Sequence, residues 1–311
     1  MDAYQSHTVA LRPEDADIIL FATNYTFIPA GLGVLGERTF RRFASRCVVF
    51  DSSDEPSPII GGLCASWSKQ DLAPGLATGW CYHHPTSAEA TLQYLEWPRQ
   101  SRYLWSFLGA FETDPVRAKL AALGDKESFV DDTSKYSLPN LRGETSGNER
   151  QKFYEKYANL LSESAFVVCP RGRGPSSMRL FEAMRAGRTP VIISDAWTPP
   201  PFVAWDKCSF RIPESEVATL PEFLRAHQDA AKEMGDHARA EWERVFGPTG
   251  LFHHTVEACL TLVKARPKDY TRKNIERCGV LLRPPWRRRF LRGCKQVTMS
   301  SVNRMLGRQS K

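Results

Sequence analysis

Short apolar segments alternate with amphipathic stretches along most of the chain. The apolar segments are rich in β-branched and aromatic residues and are bounded by turn residues, which predicts strands at 18–21, 47–50, 103–108, 165–169 and 191–193. The amphipathic stretches predict helices at 37–44, 152–161, 178–186, 217–228 and 229–245. Strands that alternate with helices are typical of parallel sheets covered by helices, so we predict an α/β, doubly wound fold.

The length of 311 residues is enough for two compact domains, each with its own core. At 96–102 the segment EWPRQSR, with a proline and several charges, predicts a domain boundary. We therefore assign 1–100 to an N-terminal domain, 101–265 to a second domain and 266–311 to a basic tail, which we consider packing back on the first domain. Residues 124–150 are polar and rich in Gly, Ser and Asp, so we predict a long loop there.

The formal charge of +7 is concentrated at the C-terminal end. Residues 281–311 contain nine basic and no acidic residues, and subtracting those nine from the 42 basic residues leaves 33 against 35 acidic ones. A body with a formal charge of −2 does not bind nucleic acid through bulk charge, so we expect no nucleic-acid partner. Apolar residues interleave with the basic ones in the tail, so a solvated end and a peripheral contact with anionic lipid are both open. The alternative function that the tail suggests is a membrane-surface or nucleic-acid binding module.

The eight cysteines have no CxxC pair and no zinc-like spacing with histidine, and several stand in apolar runs. This pattern favours buried, reduced thiols in a cytosolic type of compartment. The first 17 residues lack a signal-sequence pattern, and the sequence has no 18-residue apolar run. If the chain is complete, we expect a cytoplasmic or peripherally membrane-bound protein.

The segment FVVCPRGRGPSSMRLFEAMRAGRTPVIISD at 166–195 carries the clearest chemical signal. It predicts a buried strand, a loop PRGRGP, a helix capped by Ser176 or Ser177, and a second strand. Backbone N–H groups and the positive end of the helix dipole then meet at one rim of a sheet, beside Arg171 and Arg173. This combination predicts a diphosphate site.

Arg179 and Glu182 are three residues apart on the predicted helix and therefore share a face. An arginine neutralises phosphate charge with paired hydrogen bonds, and a carboxylate accepts hydrogen bonds from two ribose hydroxyls. The alternative is an ordinary surface ion pair between Arg179 and Glu182.

These pieces resemble, in order, the exostosin-like glycosyltransferases of glycosyltransferase family 47. The run YLWSFLGA at 103–110, which contains Gly109, is similar to the strand that opens the family's nucleotide-binding domain, and Arg117 matches an arginine on its next helix. AFVVCPRGRGPSSMRLFEAM resembles the family's Phe-Cys-x-x-Pro-x-Gly run leading to Arg-x-x-Glu-Ala. GRTPVIISDAWTPPPFVAW resembles its Gly-x-x-Pro-Val stretch, which continues through Pro-Phe to a tryptophan, here Trp205.

The resemblance implies a GT-B architecture, in which two Rossmann-like domains face a cleft and the C-terminal domain holds a UDP-sugar. It implies an inverting, metal-independent transferase of polysaccharide biosynthesis that takes a glycan or other hydroxyl acceptor and needs no cofactor besides the sugar donor. The family's eukaryotic members are typically anchored in the Golgi, so a missing N-terminal anchor would place this chain in the Golgi lumen. The donor-binding residues that it implies are Arg171, Arg173, Ser176, Ser177, Arg179, Glu182, Gly109 and Arg117.

An inverting displacement needs a general base, which this architecture takes from the N-terminal domain. Asp51 and Asp54 follow a predicted strand at the sheet edge where ligands bind, and Glu37, His83 and His84 compete with them. Many retaining GT-B enzymes have a second glutamate eight positions before the ribose-binding one. That position is Gly174 here, which favours inversion.

Two other functions remain open at this stage. A GxGxxG pattern at Gly31, Gly33 and Gly36, followed by a strand that ends at Asp51, outlines a dinucleotide-binding site. A degenerate transferase kept as a scaffold is the second alternative. The presence of Arg179 and Glu182 argues against it.

Overall fold

Two parallel sheets organise the chain. The structure is a computed structural model that describes residues 6–23, 34, 37–54, 56, 61–71, 75–82, 95–135 and 146–270. The first sheet has the order β1-β2-β3-β4, with strands Ile19–Thr23, Cys47–Asp51, Gly62–Cys64 and Thr78–Gly79. The second sheet has the order β6-β5-β7-β8-β9, and β5 to β9 are Tyr103–Gly109, Ser128–Asp132, Ser164–Pro170, Thr189–Ile193 and Phe210–Arg211. Every neighbouring pair is parallel, which confirms the predicted α/β fold of two Rossmann-like units.

Helices connect and cover these strands. Within the described residues, α1 to α8 are Arg38–Phe43, Pro115–Ala121, Gly147–Glu163, Met178–Ala186, Trp205–Cys208, Leu220–Ala226, Ala231–Val245 and Leu251–Lys264. Short 3-10 helices precede α6 and α7, at Glu214–Thr219 and Gln228–Ala230. All the connections of the second sheet, and the connection from β1 to β2, therefore run through helices, as parallel pairing favours.

Two predicted elements differ from the structure. The loop predicted at 124–150 is wrong in part, because Ser128–Asp132 forms the edge strand β6 and α3 already begins at Gly147. A partly exposed edge strand has no continuous apolar run, so its sequence resembles a loop. The single helix predicted at 217–228 is also wrong, because α6 begins only at Leu220. Pro221 lies in its first turn, where the lost N–H has no helical partner.

One apolar core spans both sheets. It joins Val48 and Leu63 of the first sheet to Val167 of the second and to Leu180 and Met184 of α4. Helix α8 packs against β2 and β3, so the end of the described chain returns to the first sheet. A second cluster covers the opposite face of the second sheet. The domain limits assigned above stay a prediction.

The segment after β3 forms a direct contact between the two units. Trp67 accepts a backbone hydrogen bond from Thr198 (3.0 Å), and Lys69 donates one to Ala196 (2.8 Å). A side chain at Gly79 would collide with the carbonyl oxygen of Thr198, at 2.1 Å. These contacts hold the carboxyl ends of the two sheets at a fixed separation.

Six cysteines lie in the described residues, and all six are buried and free, as predicted. Burial raises the pKa of Cys47 to about 11 and that of Cys208 to about 12, so these thiols stay protonated at neutral pH. Across the described ranges, no helix combines the length and apolar content needed to cross a bilayer.

Candidate functional site

One buried arginine supports the loop after β7. The Nε atom of Arg117 donates to the carbonyl of Arg171 (2.7 Å), and its Nη atoms donate to the carbonyls of Ala110 (3.2 Å) and Pro170 (3.3 Å). Burial, and next the positive charge of Arg179, lower the pKa of Arg117 to about 10. The guanidinium of Arg117 thus donates to backbone carbonyls at the ends of both β5 and β7. Arg117 therefore holds the loop after β7 against the end of β5.

Arg179 carries a charge that no salt bridge within the described residues neutralises, although it acts electrostatically on Glu182. Its guanidinium carbon lies 5.3 Å from the ring centroid of Phe107, a cation–π contact. Within the described residues Arg179 forms no ion pair, and its buried Nε has no hydrogen-bond partner. A side chain at Gly109 would come within 3.0 Å of the guanidinium, so Gly109 keeps this space open. The arrangement suits an anion that pairs with Arg179.

Ser176 and Ser177 lie between this charge and the first sheet. The backbone N–H of Ser176 donates to Ser66 Oγ (3.3 Å). Ser177 occupies the N-cap position of α4, and the helix begins at Met178 as predicted, but the serine side chain makes no capping bond. Its Oγ is buried and has no hydrogen-bond partner in the described part of the chain. A buried hydroxyl without a partner is costly, so this Oγ is a candidate ligand contact.

Glu182 lies one turn further along α4. The hydroxyl of Tyr157, on α3, donates to its Oε2 at 2.9 Å. Burial raises the pKa of Glu182, while the charge of Arg179 and the Tyr157 hydrogen bond oppose that effect. The carboxyl group is thus oriented by Tyr157 through one of its two oxygens.

The two other loop arginines are placed differently. Arg171 Nε lies 3.2 Å from Asp114 Oδ2, and its Nη1 lies 3.8 Å from Glu214 Oε1. Arg173 is exposed on the loop. Two carboxylates therefore partly balance the charge of Arg171. Arg173 and Arg179 form no ion pair within the described residues.

The first sheet contributes Asp54 and Tyr82 to the same region. Tyr82 donates to Asp54 Oδ1 at 3.0 Å. Burial, and next the charge of Asp54, raise the pKa of Tyr82, so the phenol stays a neutral donor. The loop 171–177 between β7 and α4 lies directly against the backbone of Asp54, since a Cβ atom at Gly174 would lie 2.2 Å from the carbonyl oxygen of Asp54 and 2.0 Å from Ser66 Oγ. A glutamate has no room at position 174.

The two predicted base candidates differ in their surroundings. Asp51 is buried at the end of β2, where its Oδ1 accepts hydrogen bonds from the backbone N–H (2.9 Å) and the hydroxyl (2.6 Å) of Ser53. These bonds are typical of an Asx turn. Asp54 is exposed, its backbone carbonyl adjoins Gly174 of the second unit, and its charge acts on Arg117. Glu37 is an exposed residue at the N-cap position of α1.

Several predicted features lie outside the described residues. They are His83 and His84, the glycine pattern at Gly31, Gly33 and Gly36, and the basic tail at 281–311. The base competition from the two histidines and the membrane contact of the tail therefore stay predictions.

This geometry coincides with the region matched by a known family. The model of the exostosin GT47 domain matches residues 63–227, just over half of the chain, and this range includes Arg117 and the whole of 166–195. The chain belongs to the exostosin GT47 family. Membership confirms the predicted resemblance. The matched range begins after Asp51 and Asp54, so the family match does not include the two predicted bases.

Two curated members show how far the exostosin similarity extends. The exostosin-1 homolog of Caenorhabditis elegans is 34% identical over 87 residues, which are 27% of this chain and 23% of that protein. Exostosin-1 of Drosophila melanogaster is 26% identical over 196 residues, 59% of this chain and 25% of that protein. The match therefore spans about a quarter of the length of these exostosins.

Among solved structures, the C-terminal domain of a glycosyl transferase group 1 family protein from Francisella tularensis aligns with 52% of this chain and 99% of its own. The sequence identity is 9% and the TM-score 0.33. This similarity is too remote to inform the function of the exostosin site.

The exostosin site also contains residues that the sequence did not reveal. Phe107, Tyr157 and Tyr82 lie 25 or more positions from the partners they contact on α4 or in the first sheet. Aromatic residues in buried strands and helices are ordinary core positions. The sequence therefore held no signal that would have distinguished them.

Proposed function

We propose that the chain is an inverting glycosyltransferase that moves a sugar from a UDP-sugar to the hydroxyl group of a glycan or other acceptor. The observation that carries this proposal is the charge of Arg179, which lies at the start of α4 without an acidic partner in the described residues. Membership in the exostosin GT47 family supports glycosyl transfer, and the family resemblance is the reason to expect uridine.

The leaving diphosphate fits at the start of α4 and at the loop 171–177 before it, which we call the donor loop. Arg179 and the N–H groups of the first turn of α4 supply positive charge, and the Ser177 hydroxyl supplies a hydrogen bond. Arg173 approaches from the exposed side. These groups stabilise the charge that develops on the diphosphate as the glycosidic bond breaks, which is the role that a metal ion fills in other transferases. We therefore propose a donor site that works without a metal or a cofactor.

Glu182 holds the ribose in this proposal. The hydrogen bond from Tyr157 to Oε2 fixes the orientation of the carboxyl group and leaves Oε1 for the ribose. A carboxylate fixed in this manner accepts hydrogen bonds from adjacent ribose hydroxyls, which orients the donor along the helix.

The acceptor hydroxyl attacks the anomeric carbon on the face opposite the diphosphate, and the configuration inverts. Asp54 is the better placed of the two predicted bases, because it is exposed and adjoins the donor loop, whereas Asp51 is engaged in a turn. Asp54 takes the proton from the acceptor hydroxyl, and Tyr82 orients its carboxyl group through Oδ1. Exclusion of a side chain at Gly174 accords with inversion, since the second glutamate of many retaining enzymes has no place there.

A donor-hydrolysis screen across UDP-sugars, GDP-sugars and NAD(H) tests the proposal. We expect release of UDP from at least one UDP-sugar and no binding of NAD(H) in calorimetry. Arg179→Ala should lower turnover by about 10²-fold or more, the usual effect of removing one stabilising donor. Glu182→Ala should raise the KM for the sugar donor by about tenfold or more, because the ribose hydroxyls lose a charged acceptor.

Arg225→Ala is the matched control. Arg225 is an exposed arginine of the same unit that pairs with Asp125 and Glu127, so its loss should leave turnover unchanged. Near-normal activity in both Arg179→Ala and Glu182→Ala would contradict the donor site. Binding of NAD(H) without binding of UDP would favour the dinucleotide alternative.

A further inference from the structure

Three potential metal ligands meet where the N-terminal segment touches α8. His253 and Glu257 are four residues apart on this helix, so their side chains share a face. His7 reaches them from the other end of the chain, across a separation of 246 residues. One ligand atom of each residue lies within 4.8 Å of the other two. Two ligands at i and i+4 on a helix are a frequent basis of zinc sites.

The distances fit a single ion. His7 Nε2 lies 3.1 Å from His253 Nδ1 and 3.5 Å from Glu257 Oε1. Zinc binds imidazole nitrogen and carboxylate oxygen at about 2.0–2.2 Å, and a tetrahedron of that radius separates neighbouring ligand atoms by roughly 3.3–3.6 Å. These two separations therefore need to change by only a few tenths of an ångström, and the third, between His253 and Glu257, is within 4.8 Å.

The orientation of the rings is compatible with a shared ion. The planes of His7 and His253 are inclined by 24°, and their centroids are 5.0 Å apart although the two nitrogens are 3.1 Å apart. The rings are stacked with these two nitrogens close together. His254 is directed elsewhere, because its Nδ1 lies 2.9 Å from the carbonyl oxygen of Gly250.

A hydrogen-bonded cluster is the alternative to an ion, since the 3.1 Å separation of the two nitrogens is also the length of a hydrogen bond. A single hydrogen on His7 Nε2 points at one acceptor at a time, yet both His253 Nδ1 and Glu257 Oε1 lie close to that atom. A cation between the three atoms attracts all of them. The side chain of His7 is 12% exposed and that of Glu257 42%, so an ion can enter from solvent and keep a water as its fourth ligand.

We propose that His7, His253 and Glu257 bind one zinc ion that fastens the N-terminal segment to α8. Imidazole and carboxylate ligands suit this ion. Helix α8 packs on β2 and β3 of the first sheet. The ion therefore holds the segment before β1 against a helix that covers the same sheet. This site is separate from the donor site and does not depend on the proposed transferase activity.

A zinc titration of the full chain, freed of any polyhistidine tag, against a chromophoric chelator tests the proposal. We expect one zinc ion per chain and a rise in the melting temperature when zinc is added. His7→Gln and Glu257→Gln should each weaken zinc affinity by more than about tenfold. Without zinc, both variants should melt close to the wild-type temperature, which shows that they fold.

His237→Gln is the matched control, since His237 is an exposed histidine on the neighbouring helix α7. It should bind zinc as the wild type does. Cobalt in place of zinc should give the intense visible absorption of a four-coordinate site, and Glu257→Gln should lose it. Absence of stoichiometric binding, or affinity that is unchanged in His7→Gln and Glu257→Gln, would overturn the proposal and leave a proton-sharing cluster.

Discussion

Glu182 has a carboxyl group whose environment favours the protonated form while its proposed role requires the ionised form. Burial raises its pKa above that of an ordinary glutamate, and Arg179 and Tyr157 offset only part of this effect. The folded state therefore holds the proton to a higher pH than the unfolded state does. The free energy of unfolding should fall as pH rises from the unfolded pKa, about 4.3, through the folded one.

Glu182→Gln should remove this pH dependence. Glutamine still accepts the Tyr157 hydrogen bond, so we expect the variant to gain stability relative to the wild type as pH rises from 4 to 8. The loss of the carboxylate should raise the KM for the donor by about tenfold or more, since a charge-assisted hydrogen bond contributes about 1.5–3 kcal/mol. Urea denaturation at several pH values and donor kinetics measure both effects. A variant whose stability shows the same pH dependence as the wild type would contradict this account of Glu182.

Asp54 and Asp51 should respond differently to substitution. Asp54→Asn should lower transfer by about 10²–10⁴-fold without weakening the binding of UDP, because a general base acts on the acceptor. Asp51→Ala should mainly lower stability, since it removes the turn at Ser53. Single-turnover transfer, UDP calorimetry and thermal melting distinguish the two. Unchanged transfer by Asp54→Asn would contradict Asp54 as the base and leave Glu37, His83 and His84 as the candidates.

At the scale of elements, Arg188 connects the predicted domain boundary to two helices. Its side chain is 0% exposed, and its guanidinium carbon lies 4.5 Å from the ring centroid of Trp97. It donates to carbonyls of the boundary segment and of the ends of α3 and α4: Leu95, Glu96, Leu161, Ser162, Ala186 and Gly187. One guanidinium thus satisfies helix ends that would otherwise be buried without partners.

Arg188→Met should lower the free energy of unfolding by about 3 kcal/mol or more, because buried carbonyls lose their donors. Arg188→Lys should lose less, since an ammonium keeps the charge but cannot reach all of these carbonyls. Arg102→Met is the control, because Arg102 is exposed at the same boundary and pairs with Glu163, and its loss should cost under about 1 kcal/mol. Equal losses for Arg188→Met and Arg102→Met in urea denaturation would refute the role of Arg188.

At the scale of the whole molecule, the donor loop and the first sheet meet at Gly174. A methyl group there would lie 2.2 Å from the carbonyl oxygen of Asp54, so the two units must move apart to admit it. Separation of the units also moves the proposed base away from the proposed donor. The contact between Gly174 and the backbone of Asp54 therefore keeps the proposed base close to the proposed donor site.

Gly174→Ala should cost about 1–3 kcal/mol of stability and lower transfer by about 10²-fold, because small displacements of reacting groups are expensive. Gly147→Ala is the matched control, since no atom of the described residues lies within 4 Å of the new methyl group at the start of α3. It should keep wild-type activity and stability. Wild-type behaviour of Gly174→Ala would show that the two units do not need this contact.

The parallel α/β fold, the boundaries of α4 and the family were all predictable from the sequence, because they depend on local patterns. Apolar runs of three to six residues predict buried strands, and the order of glycine, proline and arginine in 166–195 carries the family resemblance. The short strands β3, β4 and β9 were not predictable, since two or three residues have no detectable period. The capping box of Ser146 and Glu149 was a local signal for the start of α3.

The roles of the charged residues depended on the tertiary structure. Arg117, Arg171 and Arg179 look equivalent in the sequence, yet one braces the loop, one pairs with carboxylates and one has no acidic partner in the described residues. Likewise, Asp54 meets Tyr82, and His7 meets α8, only because distant segments fold together. The sequence by itself therefore determined which chemical groups the protein has and which elements carry them. Only the tertiary structure decided which of these groups are neutralised by neighbours, because burial and charge pairing depend on contacts between residues far apart in the chain.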